Sequence, residues 1–183
     1  MFFYMVKTVF SISYFLFIEG DDRMLIFGST EQLDILQSSD DFLVDGTFKV
    51  APEIFYQLYI IHAVYRGHVV PVLYALLKRK TAATYQNLIN QILQFAPRWN
   101  PVSIMLDFEQ ACIGVYEASF PNVNLSGCYF HLRQSIHRKL QVRKFKMTNS
   151  SMISCNILFR HLVIKIDMKM IQNFHTIYTK YLH

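Results

Sequence analysis

The sequence predicts an α/β fold, a mixed sheet with helices on its faces, and two observations carry this prediction. Segments rich in β-branched and aromatic residues come first, and later segments alternate between helical and strand patterns, which is the order typical of an α/β sheet. The 183 residues are 52% apolar, with 16 Phe and 11 Tyr, enough to build one domain with a sizeable core.

The first half of the chain predicts four strands and a short helix. The strands are the segments 23–27, 42–50, 55–65 and 69–77. Ser29 and Gln32 form a capping-box pattern that opens a short helix after the first strand. Residues 66–68 (Arg-Gly-His) form the turn between the last two strands, which we expect to pair antiparallel. The aromatic residues of 55–65 are interpreted as core and not as a stacking platform: Phe55, Tyr56, Tyr59 and Tyr65.

The second half alternates helices and strands. Apolar residues at helical spacing predict three helices, at 85–93, 111–118 and 131–144, of which the first two end before Pro97 and Pro121. Strands are predicted between them at 102–106 and 123–130. Three antiparallel-type strands followed by helix, strand, helix, strand and helix match the ribonuclease H-like order.

Two acids interrupt or end apolar strands and are the candidate metal ligands. Asp45 lies within 42–50 and Asp107 directly follows 102–106, where an unpaired carboxylate is costly to bury. In the predicted order the two strands are neighbours, about 4.8 Å apart. Carboxylates so close can share Mg²⁺ or Mn²⁺, whose other positions take water and phosphate oxygens. Solvated acids, or acids paired with Lys49 and Arg98, remain the alternative.

The charge distribution predicts a polyanionic partner. The formal net charge is +5, yet residues 1–53 hold nine of the thirteen acids, whereas 118–166 hold eight bases and no acid. The candidate nucleic-acid contacts are bases of the last predicted helix and its end: Arg133, Arg138, Lys139, Arg143 and Lys144. Such phosphate contacts would be salt-dependent and insensitive to sequence. A solvated outer helix face is the alternative.

Cysteine usage favours an intracellular protein, and the N-terminus complicates this expectation. Three irregularly spaced cysteines, Cys112, Cys128 and Cys155, build no disulfide framework. Residues 9–18 after Lys7 resemble a secretory signal, but no small-residue cleavage site follows. The run is also too short to span a bilayer, so we expect a buried strand or an extension and no membrane partner.

Several motifs together resemble the transposase domain of Mutator-like elements, the MULE family. In chain order they are Asp45-Gly46-Thr47-Phe48-Lys49, Gln57-Leu58-Tyr59-x-x-His62-Ala63, Pro71-x-x-Tyr74-Ala75-Leu76-Leu77, Lys80 with Tyr85, Asp107-Phe108-Glu109-x-Ala111, Phe120-Pro121, and Gly127-Cys128-x-Phe130-His131-Leu132-x-Gln134. They follow the family's order and cover about residues 23–144.

The resemblance implies a ribonuclease H-like fold and cut-and-paste DNA transposition by an Asp-Asp-Glu triad with Mg²⁺ or Mn²⁺. Asp45 and Asp107 match the first two acids, and Cys128-x-x-His131 matches a motif between the second and third. His131 would then sit near the active site and position DNA or the scissile phosphate. The family's third acid, a Glu on a later helix, has no match. The resemblance also implies DNA as partner and a nuclear location, and it allows a homo-oligomer.

Without the family, the same residues leave some alternatives open. A third ligand downstream of the last strand could only be Asp167, since no other acid follows Glu117. Glu109 is closer, but the helix start can direct it elsewhere. For Cys128 and His131, a buried thiol beside a hydrogen-bonded histidine is favoured over a zinc site, because no second ligand pair lies nearby.

The expected organisation has three parts, and two functions are compatible with it. We expect an apolar extension at 1–20, a MULE core at 21–144 that is incomplete at its C-terminus, and an unrelated tail at 145–183. One function is metal-dependent DNA strand cleavage and transfer, impaired by loss of the third acid. The other is a non-catalytic DNA-binding remnant or domesticated transposase domain that uses the basic C-terminal helix.

Overall fold

The structure is a computed structural model that describes the backbone of residues 3–8 and 11–18 and all atoms of 23–47, 51–128 and 131–134. The strands are β1 Phe3–Thr8, β2 Ser11–Ile18, β3 Met24–Ser29, β4 Asp41–Thr47, β5 Gln57–Tyr65, β6 His68–Leu77, β7 Ser103–Leu106 and β8 Asn124–Gly127. The helices are α1 Thr30–Ser38, α2 Ala82–Phe95 and α3 Gln110–Ser119. The strands form one sheet in the order β1-β2-β3-β6-β5-β4-β7-β8.

At strand β4 the pairing in the sheet changes from antiparallel to parallel. This strand pairs antiparallel with β5 on one side and parallel with β7 on the other. β7 and β8 are also parallel, because α3 connects them as a crossover. The mixed α/β sheet that the sequence predicts is therefore confirmed. The expectation that the strands of Asp45 and Asp107 are neighbours is confirmed as well, with Leu43 opposite Met105.

Local sequence signals account for the helix starts and the hairpin. The predicted capping box is present: the Ser29 hydroxyl accepts from the Gln32 N–H, and Gln32 Oε1 accepts from the Ser29 N–H at 2.7 Å. Gln32 Nε2 also donates to the Pro71 carbonyl, which fastens α1 to β6. The β5–β6 turn holds Arg66 and Gly67 at φ 51° and 77°, the two left-handed residues of a tight hairpin.

An aromatic cluster around Trp99 joins β4 of the sheet to α3. Trp99 is 2% exposed and packs edge-on against Phe42 of β4 and Phe120 after α3, at centroid distances of 5.9 and 5.1 Å. Its ring also lies 6.4 Å from that of Tyr116 on α3. These contacts attach α3 to the strand that carries Asp45. The predicted apolar face of α2 is buried, as its residues Tyr85, Leu88, Ile89 and Ile92 show.

Several boundaries differ from the predictions. The predicted strand 55–65 begins at Gln57, because the Phe55 N–H turns back to the Pro52 carbonyl at 2.8 Å. The interpretation of Tyr56 as a core residue is therefore wrong, because this residue is 55% exposed. The strand at 42–50 is observed over Asp41–Thr47 and that at 123–130 over Asn124–Gly127, and residues 48–50 and 129–130 lie outside the described residues.

The two ends of the chain have different outcomes. In the N-terminal segment, expected as a strand or an extension, β1 and β2 form a hairpin that pairs with β3. The predicted helix 131–144 is observed over residues 131–134, and 135–183 lie outside the described part. In the part of the chain that the structure describes, no helix has the length and apolar character needed to cross a membrane.

Candidate active site

Asp45 and Asp107 occupy equivalent positions on two parallel strands. Each lies two residues beyond the matched pair Leu43 and Met105, and positions two apart on a strand face the same side. Asp107 leaves β7 by one residue, whereas Asp45 is still within β4. The side chains are 47% and 48% exposed, so neither carboxylate suffers the cost of full burial.

A single imidazole lies close to both acids. His131 Nε2 is 3.7 Å from Asp45 Oδ1, and its Nδ1 is 3.9 Å from Asp107 Oδ1. The three side chains predicted as catalytic are thus brought together. Both separations are longer than a hydrogen bond, so the imidazole lies in van der Waals contact with the two carboxylates.

Backbone hydrogen bonds carry His131 to this place. The Cys128 N–H donates to the Leu106 carbonyl at 2.8 Å and so extends the β7–β8 pairing. The Leu132 N–H then donates to the Cys128 carbonyl at 3.1 Å, which starts a helical turn. These two backbone bonds fix residues 128 and 132 on either side of the point where His131 meets the acids.

Local donors orient the two carboxylates. The Phe108 N–H donates to Asp107 Oδ1 at 2.7 Å, and the Thr47 hydroxyl lies at the hydrogen-bond limit of 3.5 Å from Asp45 Oδ2. These donors restrict the orientation of the two carboxylates. Of the partners named in the alternative interpretation, Lys49 lies outside the described residues, and the backbone N–H of Arg98 donates to the Gln37 side chain.

Glu109, whose direction the sequence left open, is held by a lysine. It caps α3, and its Oε2 lies 2.8 Å from Lys80 Nζ. Its Oε1 accepts from the Tyr85 hydroxyl at 3.0 Å, and that hydroxyl accepts from Gln57 Nε2 at 2.9 Å. Sequence reasoning missed this network. Its available signal was Gln57, a polar residue at an inward position of a strand.

A small cavity of about 20 Å³ lies beside the acids, with room for one water-sized group. Asp107 and Glu109 both line it. Val44 and Gly46 line it too, so the Asp45 side chain leaves the opposite face of β4. Asp107 consequently stands between the cavity on one side and His131 with Asp45 on the other.

The cavity floor is a buried cluster of hydroxyl and thiol groups. The Tyr59 hydroxyl lies 3.1 Å from Cys112 Sγ and donates to the Tyr116 hydroxyl at 3.3 Å. Burial raises the pKa of the Cys112 thiol to about 12 and raises those of Tyr59 and Tyr116. Burial thus favours the neutral form of these groups, and Cys112, 4% exposed, is a packing residue of the core.

The oxygen atoms at the site are of the type that a hard divalent cation binds. Asp45 and Asp107 offer half-exposed carboxylate oxygens, which Mg²⁺ and Mn²⁺ prefer. Across the residues with described side chains, no three His, Cys, Asp or Glu come together in a group that could hold a metal ion. Glu109 is engaged by Lys80. Water and phosphate oxygens would have to supply the remaining ligands.

The predicted DNA contacts are described only in part. Arg133 is exposed, two residues after His131. Arg138, Lys139, Arg143 and Lys144 lie outside the described residues.

Comparison with known families gives one match. The family model described as MULE transposase domain matches residues 42–135, just over half of the chain. The matched segment runs from β4 past the helical turn of His131, and so contains both candidate acids and the imidazole between them. No curated protein matches the chain.

Proposed function

The chain belongs to the MULE transposase domain family, and from this premise we propose that it is a transposase-derived domain with a ribonuclease H-like site for DNA phosphodiesters. In this proposal Asp45 and Asp107 hold a divalent cation, Mg²⁺ or Mn²⁺. One observation carries it: His131 lies within 4 Å of both carboxylates, at 3.7 and 3.9 Å. The parallel pairing of β4 and β7 supports it, since it puts the acids at equivalent strand positions.

Each residue has a definite role in the proposal. A bound cation would polarise the scissile phosphate and make bound water a better nucleophile. Asp45 and Asp107 would hold that cation, and the Phe108 N–H keeps one Asp107 oxygen oriented. His131, 25% exposed, would donate an N–H to a phosphate oxygen bound beside the acids.

The proposal includes weak strand cleavage and transfer. Residues 118–183 contain one acid, Asp167, and no Glu. The triad acid that the family resemblance implies on a later helix is therefore unmatched in this chain, and two carboxylates position a cation less firmly than three. We expect slow nicking by the isolated chain.

Metal-dependent nicking of supercoiled plasmid DNA tests this function. The assay uses Mn²⁺, the wild type, Asp45→Asn and Asp107→Asn, with Asp34→Asn as the matched control because Asp34 is exposed on α1, away from the site. Both site variants should lose nicking and bind Mn²⁺ at least about tenfold more weakly by calorimetry. Nicking that persists in Asp45→Asn would refute the assignment.

A second candidate function is non-catalytic DNA binding by the basic segment that starts at Arg133. It is favoured by the absence of acids over 118–166 and by the exposure of Arg133 beside the site. Such binding should weaken steeply with salt, survive Asp45→Asn, and weaken when Arg138 and Lys139 are neutralised together. Either function needs access to chromosomal DNA, and the proposed nuclear location is tested by imaging a fluorescent fusion.

A further inference from the structure

A run of three bases follows the end of β6. Residues 78–80 are Lys-Arg-Lys, and the next residue, Thr81, caps α2. Arg79 is exposed, and Lys78 and Lys80 are half-buried. No Asp or Glu occurs from residue 54 to 106, and Lys80 pairs with Glu109 from beyond that stretch. The run therefore places three consecutive basic residues at the end of the sheet where β6 finishes.

Lys80 ties this run to the candidate active site. Its Nζ lies 2.8 Å from Glu109 Oε2, and Lys80, Glu109 and Asp107 line the same cavity. The Tyr85 hydroxyl holds the second Glu109 oxygen, so the lysine is fixed by a partner that is itself fixed. The basic run thus begins beside Asp107 and continues to the exposed Arg79.

An exposed aromatic ring lies next to the run. The Tyr56 side chain is 55% exposed, and Lys80 Nζ is 5.9 Å from its ring centroid. The Tyr56 N–H donates to the Leu77 carbonyl at 2.8 Å, which attaches its loop to the end of β6. Basic groups that follow a backbone and an aromatic ring on which a base stacks are the combination that binds single-stranded nucleic acid.

We propose that Tyr56, Lys78, Arg79 and Lys80 form a docking surface for the DNA strand whose phosphodiester lies at Asp107. The basic side chains contact successive phosphates, and an unpaired base stacks on Tyr56. This inference rests on the proposed function, because it takes DNA as the substrate. It adds a strand-binding surface on the β5–β6–α2 side of the cavity, separate from the basic segment that starts at Arg133.

Binding without metal tests the surface apart from the chemistry. A fluorescein-labelled single-stranded 20-nucleotide DNA is titrated in EDTA at several KCl concentrations, and anisotropy is read. The variant Lys78→Gln/Arg79→Gln is compared with Arg66→Gln/Arg98→Gln, which removes the same charge at exposed positions elsewhere. Each lost phosphate contact lowers affinity about fivefold at 0.1 M salt, since the single-strand slope is about −0.7 per contact.

The expected result is a roughly 25-fold loss for Lys78→Gln/Arg79→Gln and a salt slope reduced by about 1.4. Arg79→Gln alone should show about half of the slope change, and it keeps the test valid if the double variant unfolds. Equal losses in the 78/79 and 66/98 variants would overturn the surface, because the effect would then be general charge. Tighter binding of RNA of the same sequence would overturn its assignment to DNA.

The aromatic part has its own test. Tyr56→Ala should weaken binding of the labelled strand at least about fivefold, and Tyr56→Phe should retain wild-type affinity, because stacking needs the ring and not the hydroxyl. Unchanged binding in Tyr56→Ala removes the stacking site. If nicking requires Asp45 and the surface variants bind normally, the proposed function stands and this inference fails. If the surface variants lose binding and the wild type shows no nicking, this inference stands and the proposed function fails.

Discussion

Gly46→Ala is expected to destabilise the fold through a side chain and not through the backbone. A Cβ at Gly46 would lie 2.6 Å from Gln57 Oε1, closer than carbon and oxygen approach without a bond. Gln57 is 1% exposed, and its Nε2 donates to the Tyr85 hydroxyl at 2.9 Å. The amide must therefore move, and the hydrogen bond to Tyr85 is lost with the movement.

The magnitude follows from two opposing terms. Leaving a buried polar group without its partner costs about 1–3 kcal/mol. Alanine in a strand is favoured over glycine by about 0.5–1 kcal/mol, because alanine loses less conformational entropy than glycine when the chain folds. The net loss for Gly46→Ala should be roughly 1–2 kcal/mol. Tyr85 would also hold Glu109 less firmly, so the Lys80 ion pair should loosen.

Urea unfolding followed by circular dichroism measures the effect, with a double-mutant cycle to identify its cause. In a Gln57→Ala background the clash is absent, so Gly46→Ala should be neutral or stabilising. Gly114→Ala is the control: this glycine is on α3 with open space around it, and the change should stabilise by about 1 kcal/mol. An equal cost of Gly46→Ala in both Gln57 backgrounds would refute the reasoning.

Three further predictions concern the core and its titrating groups. Ile61→Ala, fully buried on β5, should cost about 2–5 kcal/mol in urea unfolding. In a Cys128→Ser/Cys155→Ser chain, Cys112 should react with a disulfide reagent at mildly alkaline pH far more slowly when folded than in urea, because burial raises its pKa to about 12. Burial lowers the pKa of His62. The stabilising contribution of the neutral His62 should be complete above the ordinary histidine pKa and should be lost as the pH falls through the lowered pKa of the folded protein. His62→Gln should remove this pH dependence of the unfolding free energy.

The sequence predicted those parts of the fold that depend on local pattern and on strand order. Ser29 and Gln32 specify the start of α1 by their own hydrogen bonds, so the capping box could be recognised directly. The alternation of strands and helices implied that the strands of Asp45 and Asp107 are neighbours, and the structure pairs them in parallel. That pairing brings Asp45 and Asp107 near one another, and the spacing of His131 after Cys128 completes the group.

The features that the sequence did not predict depend on long-range choices. An apolar strand signal does not identify its partner, so nothing in β1 and β2 indicated pairing with β3. The direction of Glu109 is set by Lys80, 29 positions earlier in the chain, and no local pattern links them. Tyr56 has the composition of a strand residue, yet the Pro52–Phe55 turn delays β5 by two positions and leaves its ring outside.

The packing of Trp99 makes the protein its own optical reporter. The chain contains one tryptophan, and no described residue accepts a hydrogen bond from its indole N–H. An indole in such dry surroundings should emit at short wavelength and shift to the red when water reaches it. Because its neighbours belong to β4 and to α3, this emission follows the assembly of the two elements that flank the acids. Folding around the candidate site is therefore measurable without any label.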